Sequence, residues 1–189
     1  MPDPQRIIGW AWQITALIWF IAAFTSKRTV RRQAAGSRLV QICLGVLAAL
    51  LILGKGPWNV VLSRLLISHS HASADLGLVL TVAGLGFSLW ARFALGRNWS
   101  GTVTIKRDHE LVRSGPYAIV RHPIYSGILL ALVGTAIALG HLGAFVGLAV
   151  AALALRLKVQ SEESFMVEQF GAQYSAYQRE VKALIPFVL

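Results

Sequence analysis

The chain has 189 residues, enough for one domain, and 56% of them are hydrophobic against 14% charged, a balance that excludes an ordinary soluble globule. The net charge is +10, but the basic residues flank apolar runs instead of forming one stripe, which argues for membrane topology and against a nucleic-acid partner. The single cysteine, Cys43, permits no intrachain disulfide and leaves the redox compartment open.

The first apolar run, Ile7 to Thr25, is long enough to cross a bilayer core, which takes about 20 helical residues. No small-residue cleavage pattern follows it, so it reads as a retained helix and not a signal peptide. Ser26 to Arg38 is a basic loop with Lys27, Arg28, Arg31, Arg32 and Arg38. Leu39 to Leu53 is a second run, extendable by tilt or local thinning. Gly56-Pro57-Trp58 stops it, and Val60 to Ile67 is apolar but too short to span, which suits a segment lying in the interface. Leu76 to Leu95 is the third run, with Arg92 near its end placed to snorkel. Gly96 to His122 is polar. Pro123 then opens the fourth run, Ile124 to Leu139, at a position where its missing N–H is not needed. Gly140-His141 is a tight turn into the fifth run, Leu142 to Leu155, so runs four and five form an antiparallel hairpin. Gly127, Ala131 and Thr135 on one arm and Gly143, Gly147 and Ala151 on the other have the spacing that lets helices approach closely in lipid.

This pattern predicts an all-α integral membrane protein with about five transmembrane helices. Residues 1–95 supply N-terminal membrane helices. Residues 96–189 form a core with the helical hairpin and a C-terminal amphipathic helix. With the N-terminus outside, the outer segments carry only Arg6, Lys55 and Arg64, and the other fifteen of the 18 Lys and Arg fall in or beside the inner ones. That asymmetry places both the 96–122 segment and the C-terminus in the cytoplasm.

The polar residues concentrate after position 95, in the stretch from Gly96 to Tyr125 and again from Arg156 to Pro186. Topology brings both to one membrane face. Arg121-His122-Pro123 stands at a helix N-terminus, where free N–H groups and the helix dipole favour an anionic group. Lys158 and Glu162 share a helix face at four-residue spacing. His and Tyr add hydrogen bonds and flat faces. These features suit a polar cofactor meeting a lipid-borne substrate, without naming the cofactor. Tyr174 and Tyr177 read as packing a terminal amphipathic helix against the membrane surface. His69 and His71 have only Asp75 near them, too few ligands for a metal, and no metal is expected. Most of the tryptophans read as interface anchors.

The stretch GRNWSGTVTIKRDHELVRSGPYAIVRHPIYSG, a helical hairpin, and then EESFMVEQFGAQYSAYQREVKALIP closely resemble the isoprenylcysteine carboxyl methyltransferase family of integral membrane enzymes, over residues 96 to 187. The resemblance implies S-adenosylmethionine as cofactor in a cytoplasm-facing pocket. Its contacts would be Thr104, Lys106, the His109-Glu110-Leu111-Val112 segment, Tyr117, His122, Pro123, Ile124, Tyr125 and Glu162. Lys158 and Arg121 would bind substrate, with Lys158, Glu162 and Glu163 as the catalytic group. Lys158 stands where the family usually has arginine, and lysine lacks the planar two-bond fork for a carboxylate. The implied reaction is methyl transfer to a membrane-borne amphiphile, an isoprenylcysteine-like carboxyl group. The wider family also methylates phospholipid amines and small thiols, for which His122 or Glu163 would be the candidate base. A non-catalytic scaffold or transporter component is the rival from another class, but a transporter is expected to carry polar groups or broken helices at mid-membrane depth.

Overall fold

The computed structural model describes residues 3–24, 29–32, 35–96, 104–106 and 111–186. In chain order these form α1 (Pro4–Ala23), β1 (Thr29–Arg32), α2 (Ala35–Ile52), the single turn α3 (Asn59–Leu62), α4 (His71–Leu95), β2 (Thr104–Lys106), a 3-10 turn at Gly115–Ala118, α5 (Pro123–Leu139), α6 (Leu142–Phe170) and α7 (Ala172–Glu180). Each apolar run read from the sequence becomes one helix. Three of them, α1, α4 and α6, are long and apolar enough to cross a membrane, and Gly36–Ile52 and Pro123–Leu139 are shorter apolar helices. The chain is an integral membrane protein.

The helix ends follow their sequences. Asp3 caps α1 by accepting from Gln5 N at 3.0 Å, with Pro4 at the first position. Ser70 and Ser73 form a reciprocal capping box at α4. Gly140 closes α5 with φ 69°, a left-handed conformation that glycine adopts without strain. His141 Nδ1 then accepts from Ala144 N at 3.1 Å and starts α6.

The small-residue seam is used differently from the sequence expectation. It does not zip α5 to α6. A Cβ built on Gly84 would lie 2.5 Å from Gly127 O and Ala131 N, and one on Gly77 2.6 Å from Gly134 O. The seam of α5 therefore packs backbone-to-backbone on α4. Thr81 sits in this contact, donating to Gly77 O at 2.8 Å and lying 3.3 Å from Thr135 Oγ1. Trp12 of α1 donates to the same Thr135 oxygen at 3.0 Å, so this tryptophan faces inward and not toward the interface. The seam of α6 meets α2 instead, since a Cβ on Gly147 would lie 2.8 Å from Ala48 O and one on Gly143 3.0 Å from Leu51 O. Each arm of the hairpin thus uses its glycines for a different neighbour.

At one end of the bundle, the turn between α5 and α6 is stitched to the segment after α3. Gly140 O accepts from Leu66 N at 2.8 Å, and Leu142 N donates to Arg64 O at 2.8 Å. Val60 and Val61 are 89% and 72% exposed there. At the opposite end, β1 and β2 pair antiparallel, Arg32 opposite Thr104, a short ribbon that the run pattern did not show. Arg92 does not snorkel to water. It is buried, and its guanidinium donates to Ala22 O at 2.6 Å and Gly96 O at 2.9 Å, where it satisfies carbonyls left open at helix C-termini.

Candidate active site

The site forms at the ribbon end, where α5 begins and α6 runs on past the membrane. At about 1.5 Å per residue the 29 residues of α6 reach about 43 Å, more than the ~30 Å hydrocarbon core. Lys158, Glu162 and Glu163 therefore stand about 24 to 32 Å along it from Leu142.

His122 occupies the N-cap of α5 with φ −122° and ψ 59°, and its ring makes no capping bond. The imidazole turns to α6 instead. Nε2 lies 3.1 Å from Glu163 Oε1, and Nδ1 lies 3.5 Å from Glu162 Oε2. Burial pulls the imidazole pKa down, but hydrogen bonds and charge from Glu162 and Glu163 outweigh it and leave the pKa raised. Tyr125, one turn on, donates to Glu162 Oε1 at 2.5 Å, and its ring stacks on His122 with centroids 5.8 Å apart and planes 10° apart. Lys158 Nζ stands 5.3 Å from the Tyr125 ring centroid, within cation–π range. Tyr117, Ile124, Tyr125, Ala91 and Val159 make the apolar floor, with Val112 packed at its edge. Pro123 is buried, and Leu111 is half-buried.

Arg121 faces inward. Nε and Nη2 reach Glu163 Oε1 at 2.9 and 2.6 Å, and Nη1 donates to the carbonyls of Gln178, at 3.2 Å, and Val181. Its side chain is 9% exposed. Gln178 Nε2 adds a bond to Glu163 Oε2 at 3.0 Å. The chain after α7 completes this shell. Arg121 N and His122 N donate to Lys182 O and Ala183 O at 2.8 and 2.9 Å, and Ser126 Oγ to Leu184 O at 2.5 Å. Tyr174 and Tyr177 are buried within the protein and do not lie on a membrane surface. Tyr177 donates to Tyr117 O, and Arg113 lies 5.0 Å over its ring. Burial pushes the Tyr177 phenol up to about 12 against the pull of Arg121 and Arg113, so it remains a donor.

The structure thus brings Tyr117, Arg121, His122, Pro123, Ile124, Tyr125, Lys158, Glu162 and Glu163 together. His109 and Glu110 lie outside the described residues. Thr104 and Lys106 are placed by backbone only, in β2. Gln178, Ser126 and the 181–184 segment were missed. Their contacts are largely backbone carbonyls, which leave no pattern in side-chain identity.

Next to this cluster an apolar cleft of about 490 Å³ opens among α1, α2, α5 and α6. Trp12, Leu132 and Leu155 help form its walls, and Arg38, Gln41 and Lys158 also line it. Fold and site together define a polytopic helical membrane protein with a charged, aromatic-lined centre beside an apolar cleft.

Residues 77–168 match the model of the isoprenylcysteine carboxyl methyltransferase family. Protein-S-isoprenylcysteine O-methyltransferase A of Arabidopsis thaliana is 32% identical over 161 residues, covering 70% of this chain and 82% of that one. Protein-S-isoprenylcysteine O-methyltransferase B of the same plant is 32% identical over 118 residues, covering 61% of this chain but only 60% of that one. The solved structure of the eukaryotic intramembrane Ras methyltransferase of this family, without a monobody, superposes with a TM-score of 0.59 at 25% identity over 84% of this chain and 55% of that one. The chain belongs to the isoprenylcysteine carboxyl methyltransferase family.

Proposed function

We propose that the protein transfers the methyl group of S-adenosylmethionine to the carboxylate of a membrane-borne, isoprenylcysteine-like amphiphile, at the cytoplasmic face. The observation that carries this reading is the cluster of His122, Tyr125, Glu162 and Lys158 standing beside an apolar cleft that Lys158 itself lines.

The donor set fits the cofactor. Glu162 offers a half-buried carboxylate to a cationic group, and the parallel rings of His122 and Tyr125 offer flat faces. Tyr117, Pro123 and Ile124 supply the apolar bed, with Leu111 and Val112 at its edge. Thr104, Lys106, His109 and Glu110 belong to the same assignment. When bound, S-adenosylmethionine supplies a methyl group already activated on a sulfonium. The protein's own work is therefore positioning, which can contribute about 7–11 kcal/mol. Glu162 is itself positioned by Tyr125 and His122. Lys158, over Tyr125, is placed to hold an anionic head by a charge-assisted hydrogen bond. Glu163 already accepts from Arg121, His122 and Gln178, so it is poorly disposed to act as a base. That supports an acceptor which loses no proton, a carboxylate and not an amine. Arg121 acts in this reading as a positioning residue. The cytoplasmic orientation rests on the basic asymmetry, and in a Cys43-free variant cysteines at positions 33 and 105 should label only from the cytoplasmic side.

The test is a transfer assay with methyl-labelled cofactor and three acceptors: a prenylcysteine, an ethanolamine lipid and a small thiol. Label should enter the prenylcysteine as a base-labile ester. Label only in the lipid or thiol would refute the acceptor, and no cofactor binding by titration would refute the reading entirely. Unchanged cofactor affinity in a His122→Ala, Glu162→Ala double variant would move the cofactor elsewhere.

A further inference from the structure

The two walls of the apolar cleft that carry cations are antiparallel helices. α2 and α6 touch at Ala48 and Gly147, where a Cβ on the glycine would lie 2.8 Å from the Ala48 carbonyl oxygen. From that contact α2 runs back ten residues to Arg38, and α6 runs forward eleven residues to Lys158. At about 1.5 Å per residue the two arms are about 15 and 16 Å long. Arg38 and Lys158 therefore stand at about the same level, on the α2 and α6 walls, at one end of the cleft that both line. Gln41, three residues after Arg38, lies on the same face of α2 and lines the cleft as well. Among the described residues that line it there is no aspartate or glutamate. Two cations at one level, with apolar walls beneath them, describe the complement of an anionic head on an apolar tail.

We propose that Arg38 is a specificity-determining residue of this site: with Lys158 it grips the acceptor's anionic head from two walls, supplying from α2 the guanidinium fork that the lysine of α6 lacks. The proposal rests on the methyl-transfer reading above and adds a substrate-binding group from outside the family-matched residues 77–168. The physical need is specific. A lysine offers a single compact charge, whereas a guanidinium presents parallel donors to a carboxylate plane. With Lys158 taking one carboxylate oxygen, an arginine on the facing wall can take the other. The same arginine merely anchored to lipid phosphates would have no preference between one cleft ligand and another.

The experiment measures binding apart from turnover. Purified protein in detergent is titrated, in the presence of the demethylated cofactor, with S-farnesylcysteine and with its carboxamide, which has the same tail and no charge. Wild type should bind the acid on the order of a hundredfold better than the amide, about tenfold for each of the two charge-assisted bonds at a partly screened site. Arg38→Gln should abolish most of that ratio while leaving amide binding unchanged, and Arg38→Lys should restore part of it. The amide serves as the control for folding, because a collapsed cleft would lose both ligands together. An unchanged acid-to-amide ratio in Arg38→Gln overturns the proposal and leaves the methyl-transfer reading standing. Equal loss of acid and amide also overturns it, since Arg38 would then be packing the cleft. If wild type binds neither ligand, the proposal and the acceptor reading fall together, and the transfer assay with the other two acceptors then identifies what replaces them.

Discussion

Replacing Arg121 with alanine should unseat His122 and Glu163 together. Two guanidinium nitrogens reach Glu163 Oε1 at 2.9 and 2.6 Å, and the third holds the carbonyls of Gln178 and Val181. The paired side chains are 9% and 19% exposed, so solvent screens them little. Removing one partner of such a pair costs about 3–5 kcal/mol, because a buried charge is left behind. At about 2–4 °C per kcal/mol for a chain of this size, melting should fall on the order of 10 °C. Arg121→Lys keeps the charge but cannot serve Glu163 and two carbonyls at once, and should lose about 1–3 kcal/mol. A positioning role also predicts a site effect. Without Arg121, Glu163 is left to His122 and Gln178 alone, and the imidazole should hold its proton to higher pH. The assays are thermal unfolding in detergent and cofactor titration across pH. An alanine variant that melts within about 2 °C of wild type, with unchanged cofactor affinity, would show that the pair neither holds the shell nor orients His122.

Three further outcomes are expected. The raised His122 pKa means that its charged form stabilises the fold fully below the ordinary histidine value of about 6.5, and that this contribution is lost as pH rises through the raised value. Melting temperature should therefore decline as pH rises above about 6.5 in wild type and less so in His122→Gln, and parallel curves would exclude the linkage. Gly84→Leu forces apart helices in backbone contact and should cost at least the 1–3 kcal/mol typical of overpacking. Gly86→Ala meets nothing within 4 Å and should be neutral or slightly stabilising, so equal effects would contradict the α4–α5 seam. Lys158→Ala should raise KM for an anionic acceptor with cofactor affinity preserved, while Lys158→Arg should be tolerated. Wild-type kinetics in the alanine variant would leave Lys158 a surface cation.

The helices were legible because lipid imposes a length and an apolarity on any segment that crosses it, and each run in the sequence became a helix. The motif residues were legible for a similar reason. His122, Tyr125, Lys158 and Glu162 carry side-chain chemistry at helical spacings, and topology alone sends them to one face. Partner choice among helices was not legible. Gly127 and Gly147 looked like one hairpin seam, yet one meets Gly84 and the other Ala48. Small residues declare that something approaches closely and do not say what. Arg92 carries a signal of its own, a lone charge at the end of an apolar run. Its position suited snorkelling, but burial against Ala22 O makes it a polar tie between α1 and α4.

The C-terminal segment shows why some of the site stayed hidden. The bonds that fix Arg121 and His122 from residues 181–184 come from carbonyl oxygens, which any residue could supply. Only the route of the chain matters there, and the route is set further back. Tyr177 is buried and tied to Tyr117 O, and Gln178 is tied to Glu163, so α7 arrives at a fixed depth and the following residues run beside the start of α5. The tyrosines are thus the anchors of a strap across the motif. Their spacing in the sequence suggested an amphipathic face, which is correct. The face they bury is the back of the site and not the bilayer, because α6 overshoots the hydrocarbon core and turns α7 back over the protein's own polar end.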